Sequence, residues 1–179
     1  RVPVTLTPIS QYPLDASSAS NVGEDTVYTS FDALLTRLSG LADAQDWHYC
    51  LIDLDGDGQD EFFLSHKDWN GLLAMKNGQV KLLECGRNIS IFQGGFACTR
   101  QYLDGNSATG FYRVEHGDAI LVDYLRYDTG ISAENPWFYS PDGQDDTLRP
   151  IPQAEYEAIQ AKYAPIELDM RADLVYSGE

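Results

Sequence analysis

The sequence has few positive charges. Its 179 residues include 12 Lys and Arg against 28 Asp and Glu, a formal net charge of -16 at pH 7. Such a surface repels phosphate backbones and anionic headgroups, so we expect neither nucleic acid nor an anionic membrane as a partner. We interpret the acidity mainly as a source of solubility.

Long apolar runs are also missing. No stretch of about 18 or more apolar residues occurs, so the sequence predicts no transmembrane segment. The chain begins at Arg1 and shows no signal peptide, and we expect that an export segment has been removed. Residues 1–27 hold three prolines and a Ser/Ala-rich stretch, which favours an extended N-terminal segment or tether remnant. Residues 28–179 are expected to form a single domain.

Motifs for common chemistries are absent. The three histidines lack zinc-binding spacing, and neither a Gly-x-Ser-x-Gly elbow nor a glycine-rich phosphate loop occurs. Three cysteines cannot all pair within one chain. Cys85 and Cys98 either form a disulfide, worth about 3 kcal/mol in the entropic model, or remain free buried thiols. We leave both alternatives open.

One stretch has a specific chemical meaning: residues 53–61, of sequence DLDGDGQDE. Carboxylates occupy positions one, three and five, and a glycine follows at six, where a calcium loop bends sharply. Position seven can offer a backbone carbonyl and position nine a carboxylate. The expected calcium ligands are Asp53, Asp55, Asp57, Gln59 and Glu61.

The flanks of this loop argue against an EF-hand. An EF-hand needs an acidic residue at position twelve, which here is Leu64, and a helix on each side. Tyr49 to Ile52 and Phe62 to Leu64 instead have strand-like composition. We therefore predict that these two runs pair antiparallel across a short loop closed by Glu61.

Electrostatics favours a bound cation. The loop has five negative charges in nine residues. Two such charges about 5 Å apart repel by roughly 3 kcal/mol at an effective dielectric of about 20. Oxygen ligands on a flexible loop favour calcium over magnesium. The alternative is a solvated acidic turn without metal.

The loop resembles the calcium loops of integrin-type propeller repeats and related extracellular bacterial repeats, with Glu61 replacing a final Asp. Only one copy occurs, so a propeller is not expected. The sequence is more similar to small secreted proteins or lipoproteins of Gram-positive, often gut-dwelling, bacteria. These place a helix before an Ala-Leu-Ile-Asp-Leu-Asp-Gly-Asp-Gly strand and a Glu-Leu strand after it, as in residues 50–58 and 61–64 here. The resemblance covers residues 31–163 and implies an extracellular or cell-surface location.

The remaining patterns predict an α+β fold. A helix begins near Thr29 or Ser30, has apolar residues at helical spacing and ends at Gly40. An antiparallel meander of about six to nine strands follows, with turns at residues 77–78, 94–95, 116–118 and 141–143. Ile151-Pro152 opens a C-terminal helix. Further edge strands are expected at residues 2–6 and 173–176.

These features predict a calcium-binding extracytoplasmic module that binds a glycan or a protein. Aromatic residues at 124–127 and 137–139 can stack on sugars if exposed, although alternation in a β-rich protein explains them better as core. The alternatives are a glycan hydrolase that uses acidic residues and a structural component of the cell envelope.

Overall fold

Two antiparallel sheets, each covered on its outer face by one helix, make up the fold. The computed structural model describes residues 27–67, 69–102 and 104–173. The elements are α1 (Phe31–Ser39), a 3-10 turn (Ala44–Asp46), β1 (Trp47–Ile52), β2 (Glu61–His66), β3 (Trp69–Lys76), β4 (Gln79–Gly86), β5 (Ile89–Phe92), β6 (Gly95–Gln101), β7 (Ser107–Glu115), β8 (Asp118–Tyr127), β9 (Trp137–Ser140), β10 (Arg149–Pro150) and α2 (Gln153–Ala161). The predicted α+β class with a strand meander is confirmed.

Helix α1 covers the outer face of the first sheet. Ser30 is its N-cap, because the Ser30 hydroxyl accepts a hydrogen bond from the Ala33 backbone N–H at 3.1 Å. Gly40 is the C-cap. The four apolar residues at helical spacing are buried: Phe31, Leu34, Leu35 and Leu38. The predicted helix and its boundaries are thus confirmed.

The first sheet, in the order β1-β2-β3-β4, is apolar on both faces. Strands β1 and β2 pair antiparallel across the acidic loop, with Tyr49 opposite Leu64 and Ile52 opposite Glu61. The predicted strand pair is confirmed, and the EF-hand arrangement does not occur. Phe62 packs in the core shared with α1, whereas Phe63 packs in the core shared with the second sheet. Sheet 1 is therefore an inner layer.

The second sheet runs β10-β9-β8-β7-β6-β5, and α2 covers its outer face. The chain changes sheets between β4 and β5, at residues 87–88. The structure has ten strands in its described residues rather than six to nine, since the two-residue β10 was not anticipated. Pro152 is the N-cap of α2 rather than part of its first turn, and Tyr156 and Ile159 are the buried residues of this helix.

Several expectations concern residues that the structure does not describe. The N-terminal segment, the edge strand at residues 2–6 and most of the strand at 173–176 lie outside the described ranges. Within those ranges, neither helix has the length and apolarity needed to cross a membrane.

The cysteines are free thiols in the structure, including the candidate pair Cys85 and Cys98. Burial raises the pKa of Cys98 to about 11 and also raises the pKa of Cys85. Both thiols are therefore protonated at neutral pH and are weak nucleophiles.

The β7–β8 turn holds the two sheets together at one end. Its residues His116 and Gly117 have φ of 48° and 70°, as in a type I′ turn. A Cβ added at Gly117 would lie 2.9 Å from the Met75 carbonyl oxygen in sheet 1. Lys76 of the same strand forms an ion pair with Asp118. The backbones of the two sheets thus approach closely here.

Gly117→Ala should destabilise the protein more than Gly78→Ala. Gly78 lies in the two-residue turn between β3 and β4 at φ 73°, but a Cβ there meets nothing within 4 Å. Gly78→Ala should cost about 1 kcal/mol for the left-handed conformation alone. Gly117→Ala adds a clash with backbone and should cost about 2 to 4 kcal/mol. Urea unfolding of both variants measures the difference, and equal losses would contradict the close contact between the sheets.

Candidate metal centre

The acidic loop, residues 53–60, connects β1 to β2. It lies at the end of sheet 1 that the β7–β8 turn contacts. Its one apolar residue, Leu54, is 6% exposed and packs in the core between the two sheets. Burial of Leu54 anchors the loop and fixes the positions of the carboxylates on either side of it.

Asp53 organises the loop backbone. Its Oδ1 accepts hydrogen bonds from the backbone N–H groups of Gly56 at 2.8 Å and Asp57 at 3.1 Å. Its Oδ2 accepts another from Gly58 at 3.0 Å. Gly56 and Gly58 have φ of 74° and 84°, a conformation that glycine adopts without strain. The chain therefore wraps around the Asp53 side chain.

Asp57 is part of this wrapped segment, and its side chain hydrogen bonds to Gln59. Asp57 Oδ1 accepts from the Gln59 backbone N–H at 2.8 Å, and Asp57 Oδ2 lies 3.4 Å from the Gln59 amide nitrogen. The pKa of Asp57 is held below its ordinary value, mainly by the hydrogen bond from the Gln59 N–H and to a smaller extent by one from His116. Asp57 therefore stays ionised at neutral pH.

Glu61 is the buried member of the group. It begins β2, is 3% exposed, and accepts a hydrogen bond on Oε2 from the Leu54 backbone N–H at 2.9 Å. The pKa of Glu61 is raised from 4.5 to about 7. The largest cause is desolvation, and the negative charges of Asp55, Asp57 and Asp53 add smaller increases. Without a cation, negative charge on this carboxyl is disfavoured.

Two overlapping groups of ligand atoms result. Carboxylate oxygens of Asp53, Asp55 and Glu61 lie within 4.8 Å of one another, and so do ligand atoms of Asp55, Asp57 and His116. Four of the five predicted ligands thus belong to clusters that share Asp55. Gln59 contacts this region through Asp57, and its carbonyl as a ligand remains a prediction.

His116 is the residue that sequence reasoning missed. Its backbone N–H donates to Asp55 Oδ2 at 2.6 Å, across 61 residues of sequence. Its ring Nδ1 lies 3.3 Å from Asp57 Oδ2, while 86% of the side chain is exposed. No local pattern indicates this contact, because His116 reaches the loop only through the packing of one sheet on the other.

The donor set fits a hard divalent cation. Oxygen atoms that bind one calcium ion at 2.3 to 2.6 Å lie at most about 5 Å apart. The separations within 4.8 Å among Asp53, Asp55 and Glu61 meet this limit. Three carboxylates also supply the charge that calcium prefers, whereas an imidazole nitrogen suits transition metals better.

The aromatic residues considered as a ligand surface are mostly packed. The Trp137 ring packs at a tilt against Tyr127 and Tyr156, with ring centroids 4.7 Å and 4.8 Å apart, and Phe138 is buried. These contacts agree with the core interpretation. Tyr102, by contrast, is 51% exposed.

Comparisons with known proteins add no relative. No protein-family model, curated protein or solved structure matches the chain. The resemblance to small secreted bacterial proteins therefore remains a prediction.

Glu61 should make the metal-free protein less stable as the pH rises. Its pKa is raised in the folded state, so its favourable contribution is complete below pH 4.5 and is lost as the pH rises through about 7. Three carboxyls in the described residues have a lowered pKa: Asp57, Asp128 and Asp142. Their contributions to stability change only near and below pH 3.8, the ordinary pKa of Asp, and so do not affect the range in which Glu61 titrates. In chelator, urea unfolding from pH 5 to 8 should show a loss on the order of 3 kcal/mol.

Glu61→Gln is the matched control for this pH effect. Glutamine keeps an oxygen that can accept the Leu54 N–H and carries no charge, so the loss should disappear in the variant. Parallel pH curves for wild type and Glu61→Gln would contradict the raised pKa.

Proposed function

We propose that the acidic loop binds one calcium ion and that the ion stabilises the joint between the two sheets. The observation that carries this proposal is the convergence of Asp53, Asp55 and Glu61 oxygens within 4.8 Å. Asp55 also accepts the His116 N–H, so the same carboxylate links the loop to sheet 2. An ion held here offsets part of the loop's negative charge and orders its contact with the β7–β8 turn.

Electrostatics supports a cation at this point. The folded chain holds several carboxylates close together, and one of them, Glu61, is 3% exposed. Each pair repels, whereas the unfolded chain keeps the same groups apart in water. A divalent ion reverses the sign of this interaction and favours the ionised form of Glu61. Metal binding therefore adds directly to folding stability.

The proposed location is extracellular or at the cell surface. Loops of weak to moderate affinity stay filled only where calcium is plentiful, which is outside the cytoplasm. The resemblance of the loop to extracellular calcium loops supports the same location.

The proposed role is that of a module that binds a glycan or a protein. Hydrolysis by two acidic residues would require both carboxyls to reach a substrate. Glu61, whose pKa of about 7 would suit an acid catalyst, is buried, which disfavours that role. A structural envelope component would present a broad apolar patch. Large apolar side chains that are exposed in the described residues number four, which gives that role little support: Val27, Tyr102, Ile131 and Ile166.

Calcium should raise the melting temperature of the protein. Free calcium at about 100 times the dissociation constant adds roughly 2.7 kcal/mol, which corresponds to about 5 to 10 °C for a domain of this size. Asp55→Ala should remove most of this increase, because Asp55 belongs to both ligand groups. Its apo form should be about as stable as the wild-type apo form, because the relief of repulsion offsets the loss of the hydrogen bond from the His116 N–H. Thermal scans in millimolar calcium and in chelator measure both effects.

Asp60→Ala is the control for this experiment. It removes one charge from the same loop, but Asp60 belongs to neither ligand group. The variant should keep most of the calcium response. Equal melting temperatures of wild type with and without calcium, after confirmed metal removal, would refute the calcium proposal.

A further inference from the structure

We propose that a cleft over Gly110, beside strand β4, binds one neutral sugar residue of a glycan. The inference rests on the proposed role as a binding module and names the site and ligand class for it. The cleft lies on the face of sheet 2 that turns toward sheet 1. Its volume is about 100 Å³, and its lining comes from sheet 2 together with Glu84 of β4.

Small residues on a central strand form the floor of the cleft. Strand β7 contributes Ala108 and Gly110, and larger residues flank them on both sides. Gly110 pairs with Cys98 on β6 and with Tyr124 on β8. A Cβ at Gly110 would lie 2.7 Å from Cε2 and 2.9 Å from the hydroxyl of Tyr112. The phenol of Tyr112 therefore lies against the glycine and forms one side of the cleft, with its hydroxyl at the edge of the floor.

Two opposite charges line the cleft. Arg100 lies on sheet 2 and Glu84 on β4 of sheet 1. Burial acts to lower the pKa of Arg100, but nearby acidic groups, Glu84 foremost, outweigh it and raise this pKa. Among the described residues, no carboxylate lies within 4.0 Å of the Arg100 guanidinium in an ion pair. Arg100 attracts acceptor oxygens and Glu84 attracts donor groups, while each repels its own sign of charge. A ligand without net charge that offers acceptors to Arg100 and donors to Glu84 matches this pair.

Hydroxyl groups of a sugar meet this requirement. A guanidinium donates to sugar oxygens, and a carboxylate accepts from sugar hydroxyls. Burial, and to a smaller extent the negative charge of Glu84, raises the pKa of Tyr112 to about 12. The Tyr112 hydroxyl is therefore protonated at neutral pH and can donate a hydrogen bond. The walls of the cleft thus offer donors and an acceptor within one small space.

Tyrosine rings supply the apolar part of the site. Tyr102 is 51% exposed at the rim, and Tyr124 lines the wall. Aromatic faces pack well against the C–H face of a sugar ring while their hydroxyls stay in water. Pockets that enclose a drug-sized ligand hold about 300 Å³ or more, so this cleft admits one edge of a single ring. The rest of a glycan would extend over Tyr102.

Cys98 contributes no chemistry to the cleft. Burial raises the pKa of its thiol to about 11, so the thiol is protonated at neutral pH. The cleft contains one carboxylate, Glu84, whereas hydrolysis of a glycoside needs a pair. The lining therefore fits binding rather than hydrolysis.

The test is to titrate sugars into the calcium-loaded full chain and to monitor the backbone amide chemical shifts by NMR. The neutral probes are cellobiose, maltose, lactose and N,N′-diacetylchitobiose, and the anionic probes are galacturonic acid and N-acetylneuraminic acid. A site of this size should bind with a Kd on the order of 1 mM. At least one neutral probe should give saturable shifts at residues 98–102, 108–112 and 124. Arg100→Gln and Tyr102→Ala should each weaken binding about tenfold.

Arg113→Gln is the matched control, because Arg113 is an exposed arginine on the neighbouring strand β7 and pairs with Glu115 rather than lining the cleft. It should bind the probe as wild type does. Cleft shifts with the anionic probes only, or no cleft shifts with any neutral probe at about 20 mM, would overturn the proposal. Shifts elsewhere would leave a glycan-binding role intact and refute this cleft. Calcium stabilisation is measured separately, so its loss or retention tests the loop alone.

Discussion

The structure depends on one constraint: sheet 1 is apolar on both faces. Phe62 and Leu64 belong to the core beneath α1, and Phe63 and Leu72 belong to the core against sheet 2. A sheet of this kind must be covered on both sides, because exposed apolar area costs about 25 cal/mol per Å². The helix covers one face and the second half of the meander covers the other. The four layers and the meeting of loops at their ends follow from this requirement.

The candidate metal centre is a consequence of how those layers meet. The acidic loop ends one hairpin of sheet 1, and the β7–β8 turn ends a hairpin of sheet 2. Leu54 draws the loop into the core between the sheets, and Asp55 then accepts the His116 N–H at 2.6 Å. Hydrophobic burial brings carboxylates together against their own repulsion. A cation bound here would relieve this repulsion and would therefore favour the folded state, as proposed above.

The cleft has a different physical origin. Sheet 2 has six strands and sheet 1 has four, with β4 at its edge. Beside β4, the inner face of sheet 2 carries Arg100, Tyr112 and Tyr124 around the small residues of β7. Polar and aromatic side chains are tolerated there because the neighbouring sheet ends. The candidate metal loop and the proposed binding cleft are thus separate features of the same layered packing.

Local chemistry in the sequence determined the individual elements. The apolar spacing from Phe31 to Leu38 specifies α1, and Asn77-Gly78 specifies a tight hairpin, since residues close in the chain decide both. The carboxylate spacing likewise predicts a metal loop between strands. Only the tertiary structure decided that the meander divides into two stacked sheets, that His116 reaches the loop, that Glu61 is 3% exposed and that a cleft opens over Gly110. These features join residues far apart in sequence, and such contacts depend on which apolar faces bury one another rather than on any local pattern.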